Sequence, residues 1–289
     1  MSAEGVDAMA PIPRMLARRL LRAGGASEPA HAPRDAFTPG LSVVMAAHDE
    51  AAILEDCLAH LEGFADEIVV VDADSADATA AVAARRADRV ISSPNHAMLE
   101  INKNVAMRAA TRCWVLVLDP DERISPRLRA QIRAVVDRDE ESVSGYWMPR
   151  RNYILGRWMR TMGMYPASQL RLVRNGAGRF SETDHHLPMA VDGAAGYLSG
   201  DLVHLSDETL GEILGKRVRY ADFAAGQMHA RGERFRASRV ATAPLRAFAT
   251  QYLLLGGWLE GTRGLLYAAS SAYGAGLRHV RLGQLQRGG

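Results

Sequence analysis

Asp119 and Asp121 stand two residues apart at the end of the apolar run Trp114-Val115-Leu116-Val117-Leu118, with Glu122 directly after them. The run is rich in β-branched and aromatic side chains and reads as a buried strand. Residues two apart on an extended chain point the same way, so both carboxylates are presented together. Such a pair suits a hard divalent cation, Mg2+ or Mn2+, of the kind that commonly bridges a diphosphate. By itself Asp-x-Asp is a weak motif, since an acidic loop leading into the next helix has the same composition. Two further polar clusters share its placement: His48-Asp49-Glu50 and Asp72-Ala73-Asp74-Ser75 each follow an apolar run.

The elements that must position these clusters follow from periodicity. Residues 41–47, 67–71, 89–92 and 114–119 read as strands, and residues 49–61, 77–87, 98–110 and 126–137 carry helical spacing. Ser125-Pro126 supplies a helix start, with Ser as N-cap and Pro at the first helical position. Strands alternating with helices predict an α/β fold with a mostly parallel sheet covered on both faces. Ligands of such sheets bind beyond the carboxyl ends of the strands. All three acidic clusters fall at that edge, and their convergence carries more weight than any one of them. After Ser144 the alternation stops; 145–150 reads as a strand, followed by an aromatic and Arg-rich stretch to Arg174. From about Ser206 the chain reads as helical, with Leu210, Ile213, Leu214, Val218 and Phe223 on one face and Gly232 as a stop. Residues 241–285 are apolar with interspersed charges and a break at Gly256-Gly257. That segment fits either a buried helical pair or a helix lying on a membrane interface.

At 289 residues and 48% hydrophobic content, the chain can bury a full core. A net charge of +2 gives no global field for nucleic acid, so none is expected as a partner. Cys57 and Cys113 lie in apolar contexts and read as reduced thiols of a cytoplasmic protein. Residues 1–25 lack the long apolar core of a secretory leader. No uncharged apolar run reaches the roughly 18–20 residues that a spanning helix needs. Residues 1–40 read as a flexible basic tail; its short helical piece, 14–22, suits either an anionic membrane surface or packing on the domain. The expectation is a cytoplasmic protein with peripheral contact to the inner face of the membrane.

The order SVVMAAHDEAAIL, ADEIVVVDADSADAT, INKNVAMRAAT and WVLVLDPDERIS resembles the inverting glycosyltransferases of family 2, which have the GT-A fold. PRRNYILGRWMR, MYPASQLRLVRN, HLSDETLGEILGKRVRYADFAA and GGWLEGTRGLLYAA resemble the lipopolysaccharide-core glucosyltransferase branch. The resemblance covers about 41–281. It implies a GT-A catalytic domain at 41–205, with a nucleotide-sugar half at 41–124 and an acceptor half at 144–205; the C-terminal helical region is 206–289, whose apolar composition suits membrane association as one of its two readings. It implies a nucleotide-sugar donor, a UDP-sugar ahead of a GDP-sugar, and a glycan or glycolipid acceptor.

Residue by residue, Asp72 matches the Asp that faces the nucleoside, with Ser75 and Asp77 in the D-x-x-S-x-D spacing. For Asp77 a helix N-cap is the better reading on its own evidence. Glu50 matches a Glu near the nucleotide, although Asp49 stands where the family has Asn. Lys103 and Asn104 match a donor-side pair, and Asp119 and Asp121 match the metal-binding pair. Trp158, Tyr165 and Arg171 match aromatic and basic acceptor positions, where rings stack on sugars and Arg holds a phosphate or carboxylate; both rings read equally well as core. At Asp184-His185-His186 the family shows His-Glu, and His186 occupies the Glu position. His186 suits a base, with an unperturbed pKa of about 6.5. Asp184 or Glu182 is the substitute, or the base is lost and the protein is a weak or inactive scaffold of glycan assembly. A polyprenyl-phosphate glycosyltransferase is the remaining alternative. No nucleophile elbow or P-loop is present.

Overall fold

A computed structural model describes residues 36–96, 98–183, 187–206 and 209–288. The basic tail, all but its last residues, and Asp184, His185 and His186 therefore lie outside the described residues. The chain divides into two compact units: the first holds the described residues up to Pro149 together with Ser168–Val203, and the second holds Arg150–Ala167 together with the residues from His204 onward.

The first unit opens with β1 (Thr38–Ala47), α1 (Ala51–His60), β2 (Glu67–Asp72), α2 (Thr79–Arg86), β3 (Arg89–Ser92), α3 (Leu99–Ala109), β4 (Arg112–Val117), β5 (Glu122–Ile124), α4 (Pro126–Arg138) and β6 (Gly145–Met148). A hairpin of the second unit follows, β7 (Arg150–Ile154) and β8 (Arg157–Trp158). The chain then returns as β9 (Gln169–Arg174), β10 (Gly178–Arg179), β11 (Ala190–Val191) and β12 (Ala195–Tyr197), and β13 (Leu202–Leu205) leads out again.

Seven strands form the main sheet in the order β12-β6-β9-β4-β1-β2-β3. Strands β4, β1, β2 and β3 are mutually parallel, whereas β9 runs antiparallel to β4 and β6. The period-two alternation sorts the core into two layers. Val43, Met45, Val70 and Leu116 meet Leu54 and Leu58 of α1, Val82 of α2 and Ile132 of α4. Val44, Val69, Val71, Val115 and Val117 meet Ala106 and Met107 of α3 on the other face. Because both faces are covered, the central strands carry near-continuous apolar runs, Val43–Ala47, Ile68–Val71 and Trp114–Val117, as expected for parallel strands. The predicted helix start holds: Ser125 Oγ accepts from Leu128 N at 3.3 Å, with Pro126 at the first position.

In the second unit, β7 pairs antiparallel with β8. Residues 150–167, grouped by sequence with the acceptor half, cluster here with the C-terminal helices. Their apolar side chains explain this, since Ile154, Met159 and Met162 pack with Ile213 and Ala268. The helices are α5 (Leu210–Ala230), α6 (Ala237–Phe248) and α7 (Thr262–Gly288), with a π-turn at Ala249–Leu254 and a 3-10 turn at Gly257–Glu260 between the last two. Gly232 (φ 71°) follows α5 and Gly256 (φ 75°) interrupts the helical run, both at the predicted breaks. No described helix is long and apolar enough to cross a membrane.

Candidate active site

Two loops at the carboxyl edge of the sheet are stitched together by polar side chains. Asp49 adopts a left-handed backbone (φ 53°), a conformation that Asp tolerates better than most residues. Its Oδ1 accepts from Ala76 N at 2.7 Å and its own N–H donates to Ser75 Oγ at 3.0 Å. Asp77 accepts from Ala51 N and from Thr79 N, the first residues of α1 and α2. The N-cap positions of the two helices are Glu50 and Ala78, so Asp77 accepts the first N–H of each helix without itself being the N-cap residue. Ser75 likewise spends its hydroxyl oxygen inside this loop. His48 fixes its imidazole between Ala73 O, at 2.8 Å from Nδ1, and Asn95 Nδ2, at 3.0 Å from Nε2.

Asp72 ends β2, beside Ala47 of β1. It is buried, and its Oδ1 has no hydrogen-bond partner among the described residues. A buried acceptor without a donor costs free energy unless something supplies one, which is the behaviour of a ligand-facing group.

The predicted cation pair differs from a simple metal cage. Asp119 continues the alternation of Val115 and Val117 toward the α3 side, where Lys103 Nζ meets its Oδ1 at 2.5 Å. From β9, Arg171 Nη2 reaches Asp119 Oδ2 at 2.6 Å and Glu122 Oε1 at 3.2 Å. Glu122, fully buried, also accepts from Asp119 N through Oε2 at 3.0 Å. Burial alone would raise the Asp119 pKa, but Arg171 and Lys103 override it and hold the carboxyl well below its usual range. Arg171 is in turn kept charged by Asp119 and Glu122 in spite of its burial. Buried charges are tolerable when each is paired in this way. Arg171, expected among the acceptor contacts, is thus 4% exposed and committed to Asp119.

Glu50 behaves oppositely. Its carboxyl is pushed up to about 7, first by burial and then by Asp121, with Asp119 adding to the rise and Lys103 opposing it. Asp119 and Asp121 are therefore within electrostatic reach of Glu50. Among the described residues no three His, Cys, Asp or Glu side chains form a ready metal cage. Mg2+ is ordinarily held by one or two carboxylates plus substrate phosphates; both Asp119 oxygens already face cations, so such an ion would rest on Asp121 with Asp119 beside it.

Asn104 is occupied structurally: its Nδ2 donates to Phe180 O and Glu182 Oε1, each at 3.0 Å, and its Oδ1 accepts from Phe180 N at 2.9 Å. It anchors the segment that leads into Asp184-His185-His186. Trp158 and Tyr165 lie in the second unit as an edge-to-face pair, 5.1 Å between centroids. The Trp158 ring also carries the guanidinium groups of Arg151 and Arg160, each 4.4 Å from its centroid. His204 is a satisfied core histidine, Nδ1 to Asn152 Oδ1 at 2.7 Å. Cys57 and Cys113 form no disulfide, and burial pushes the Cys57 thiol up to about 12, which leaves it inert. Glu122 escaped the sequence reading. Its only signal was an acid directly after Asp-x-Asp, and its partner Arg171 lies 49 residues away.

Residues 42–206 match the family described as Glycosyl transferase family 2. The chain is 28% identical over 251 residues to the lipopolysaccharide core biosynthesis glycosyltransferase LpsC of Rhizobium meliloti, covering 84% of this chain and 92% of LpsC. Among solved structures, it is similar to the mannosyltransferase PcManGT from Pyrobaculum calidifontis in complex with GDP-Man and Mn2+. That match has 15% identity and a TM-score of 0.46, over 95% of this chain and 82% of the other. It is also similar to glucosyl-3-phosphoglycerate synthase from Mycobacterium tuberculosis, with 20% identity and a TM-score of 0.32, covering 40% of this chain and 44% of that one.

Proposed function

The chain belongs to glycosyl transferase family 2, and we propose that it moves a hexosyl unit from a nucleotide-sugar, a UDP-sugar first, to a hydroxyl of a bacterial glycolipid or glycan such as lipopolysaccharide core. The observation that carries this reading is the carboxylate cluster Glu50, Asp119 and Asp121, braced by Lys103 and Arg171 at the carboxyl ends of parallel strands.

In this reading the donor's nucleoside lies against Asp72, whose unpartnered buried oxygen accepts an N–H of the base. Asp121, with Asp119 beside it, would hold a divalent cation, Mg2+ or Mn2+, which would supply neutralisation of a departing nucleoside diphosphate. Arg171, Lys103 and Glu122 fix the Asp119 carboxylate before substrate arrives, so little reorganisation is needed during reaction. A base drawn from Asp184, His185 or His186 removes the proton of the acceptor hydroxyl, and Asn104 holds the preceding segment in place. The acceptor oxygen attacks the anomeric carbon in a single displacement as the bond to the diphosphate oxygen breaks, which inverts the configuration.

The test is turnover. Purified protein is incubated with UDP-sugars or GDP-sugars, Mn2+ and truncated lipopolysaccharide core, and the product's anomeric configuration is read by NMR. Transfer with inversion supports the reading, and transfer with retention overturns its mechanism. Absence of transfer from every nucleotide-sugar favours a non-catalytic member of the family.

A further inference from the structure

The second unit carries an apolar surface that its own fold leaves uncovered. No residue of α6 is buried, and Leu245 on it is 71% exposed. In the turns that follow, Leu254 is 78% and Trp258 57% exposed, with Leu253 and Leu259 similarly open. The same stretch turns its aromatic residues inward: Phe248 and Tyr252 stack at 5.3 Å and pack on the cluster containing Met162, Ile213 and Ala268. The leucines are therefore outward by construction. Soluble surfaces rarely gather so many large apolar side chains without a partner.

The tip is also rigidly mounted. Met162 N donates to Leu255 O at 2.8 Å and Thr161 Oγ1 to Gly256 O at 3.0 Å. A Cβ at Gly257 would lie 2.8 Å from Gln251 O, and one at Gly264 would collide with Gly257 O. Glycine is needed at both positions for the turns to close. Charge identifies the partner. Within residues 245–263 that carry the surface, Arg246 and Arg263 stand against one acid, Glu260. That acid is turned inward, its Oε1 accepting from Arg160 N at 2.7 Å and Thr161 N at 2.9 Å. Exposed leucines and a tryptophan, flanked in the chain by Arg246 and Arg263 and by no second acid within 245–263, match a bilayer interface carrying anionic headgroups. No described helix is both long and apolar enough to span, so the surface lies on the bilayer.

We propose that the 245–259 surface of the second unit is a membrane-docking wedge, in which Leu245, Leu253, Leu254, Trp258 and Leu259 enter an anionic phospholipid interface and Arg246 and Arg263 meet its phosphates. The inference stands independently of the donor site. It is tested by flotation of the full chain with vesicles of phosphatidylcholine alone and of phosphatidylcholine mixed with phosphatidylglycerol. The chain floats with the anionic vesicles and is released by high salt. Leu254→Ser combined with Trp258→Ser weakens partitioning by about tenfold or more, from the apolar surface withdrawn. Should that double variant fail to fold, brominated anionic lipid gives a second reading. It quenches Trp258 fluorescence in the parent, and Trp258→Phe floats normally while losing the quenching. No flotation with anionic vesicles, undiminished flotation of a folded double variant, or a dimer by light scattering that the double variant dissolves would each overturn the proposal; the last outcome would assign the surface to a second copy.

Discussion

The two units handle unfavourable groups in opposite ways. At the carboxyl edge of the sheet the first unit buries charge and compensates nearly every member: Asp119 with Lys103 and Arg171, and Arg171 with Glu122. The second unit leaves large leucines on its surface with no counterpart in the chain's own packing. Buried ion pairs contribute little to stability against an apolar alternative, but breaking one is costly. The first arrangement therefore secures geometry, and the second leaves free energy available for association. The exceptions inside the first unit, Asp72 and Glu50, are the groups whose environment a nucleotide and a cation would complete.

Breaking the compensated network should produce the largest effect. Arg171→Met strands Asp119 and the buried Glu122, and should cost about 3–5 kcal/mol in urea unfolding together with all turnover. An unchanged unfolding midpoint would mean that the network is not a unit. Asp121→Ala should separate function from stability. Turnover is expected to fall by about a hundredfold or more, because the diphosphate loses its cation ligand, while the unfolding free energy falls by less than in Arg171→Met.

Glu50 sharpens the comparison through pH. Its carboxyl is raised from 4.5 to about 7, so its stabilising contribution is full below about 4.5 and lost as pH rises through about 7. Melting curves should show the parent losing Tm relative to Glu50→Gln across that window. Mn2+ with UDP should bind more tightly above pH 7, where the site gives up its proton to make room for the cation. Equal slopes in parent and variant would remove Glu50 from the cluster. The smallest effect belongs to the second unit: Leu254→Ser should leave Tm unchanged, since a side chain that exposed contributes little to folding.

Much of this was legible in the sequence wherever the physics is local. Apolar runs with flanking helical spacing gave the parallel strands, their ends gave the acidic edge, and Ser125-Pro126 gave a helix start. What escaped depends on contacts distant in sequence. Nothing near Arg171 says that it faces Asp119, 52 residues away, so its motif position suggested an acceptor contact. Glu122 looked like the tail of an acidic loop until Arg171 gave it a partner. Asn104 reads as a donor contact by position, yet Phe180 and Glu182 occupy its amide. Trp158 was open between core and sugar platform. The two guanidinium groups on its ring fit neither simple reading, because their placement comes from a hairpin that packs with the C-terminal helices.

The most direct measurement is calorimetric titration of UDP and GDP, with and without Mn2+, into the parent and Asp121→Ala. Mn2+-dependent binding of UDP that the substitution abolishes is the predicted result. Absence of nucleotide binding with any metal, or binding that Asp121→Ala leaves intact, would contradict a donor site built on this cluster.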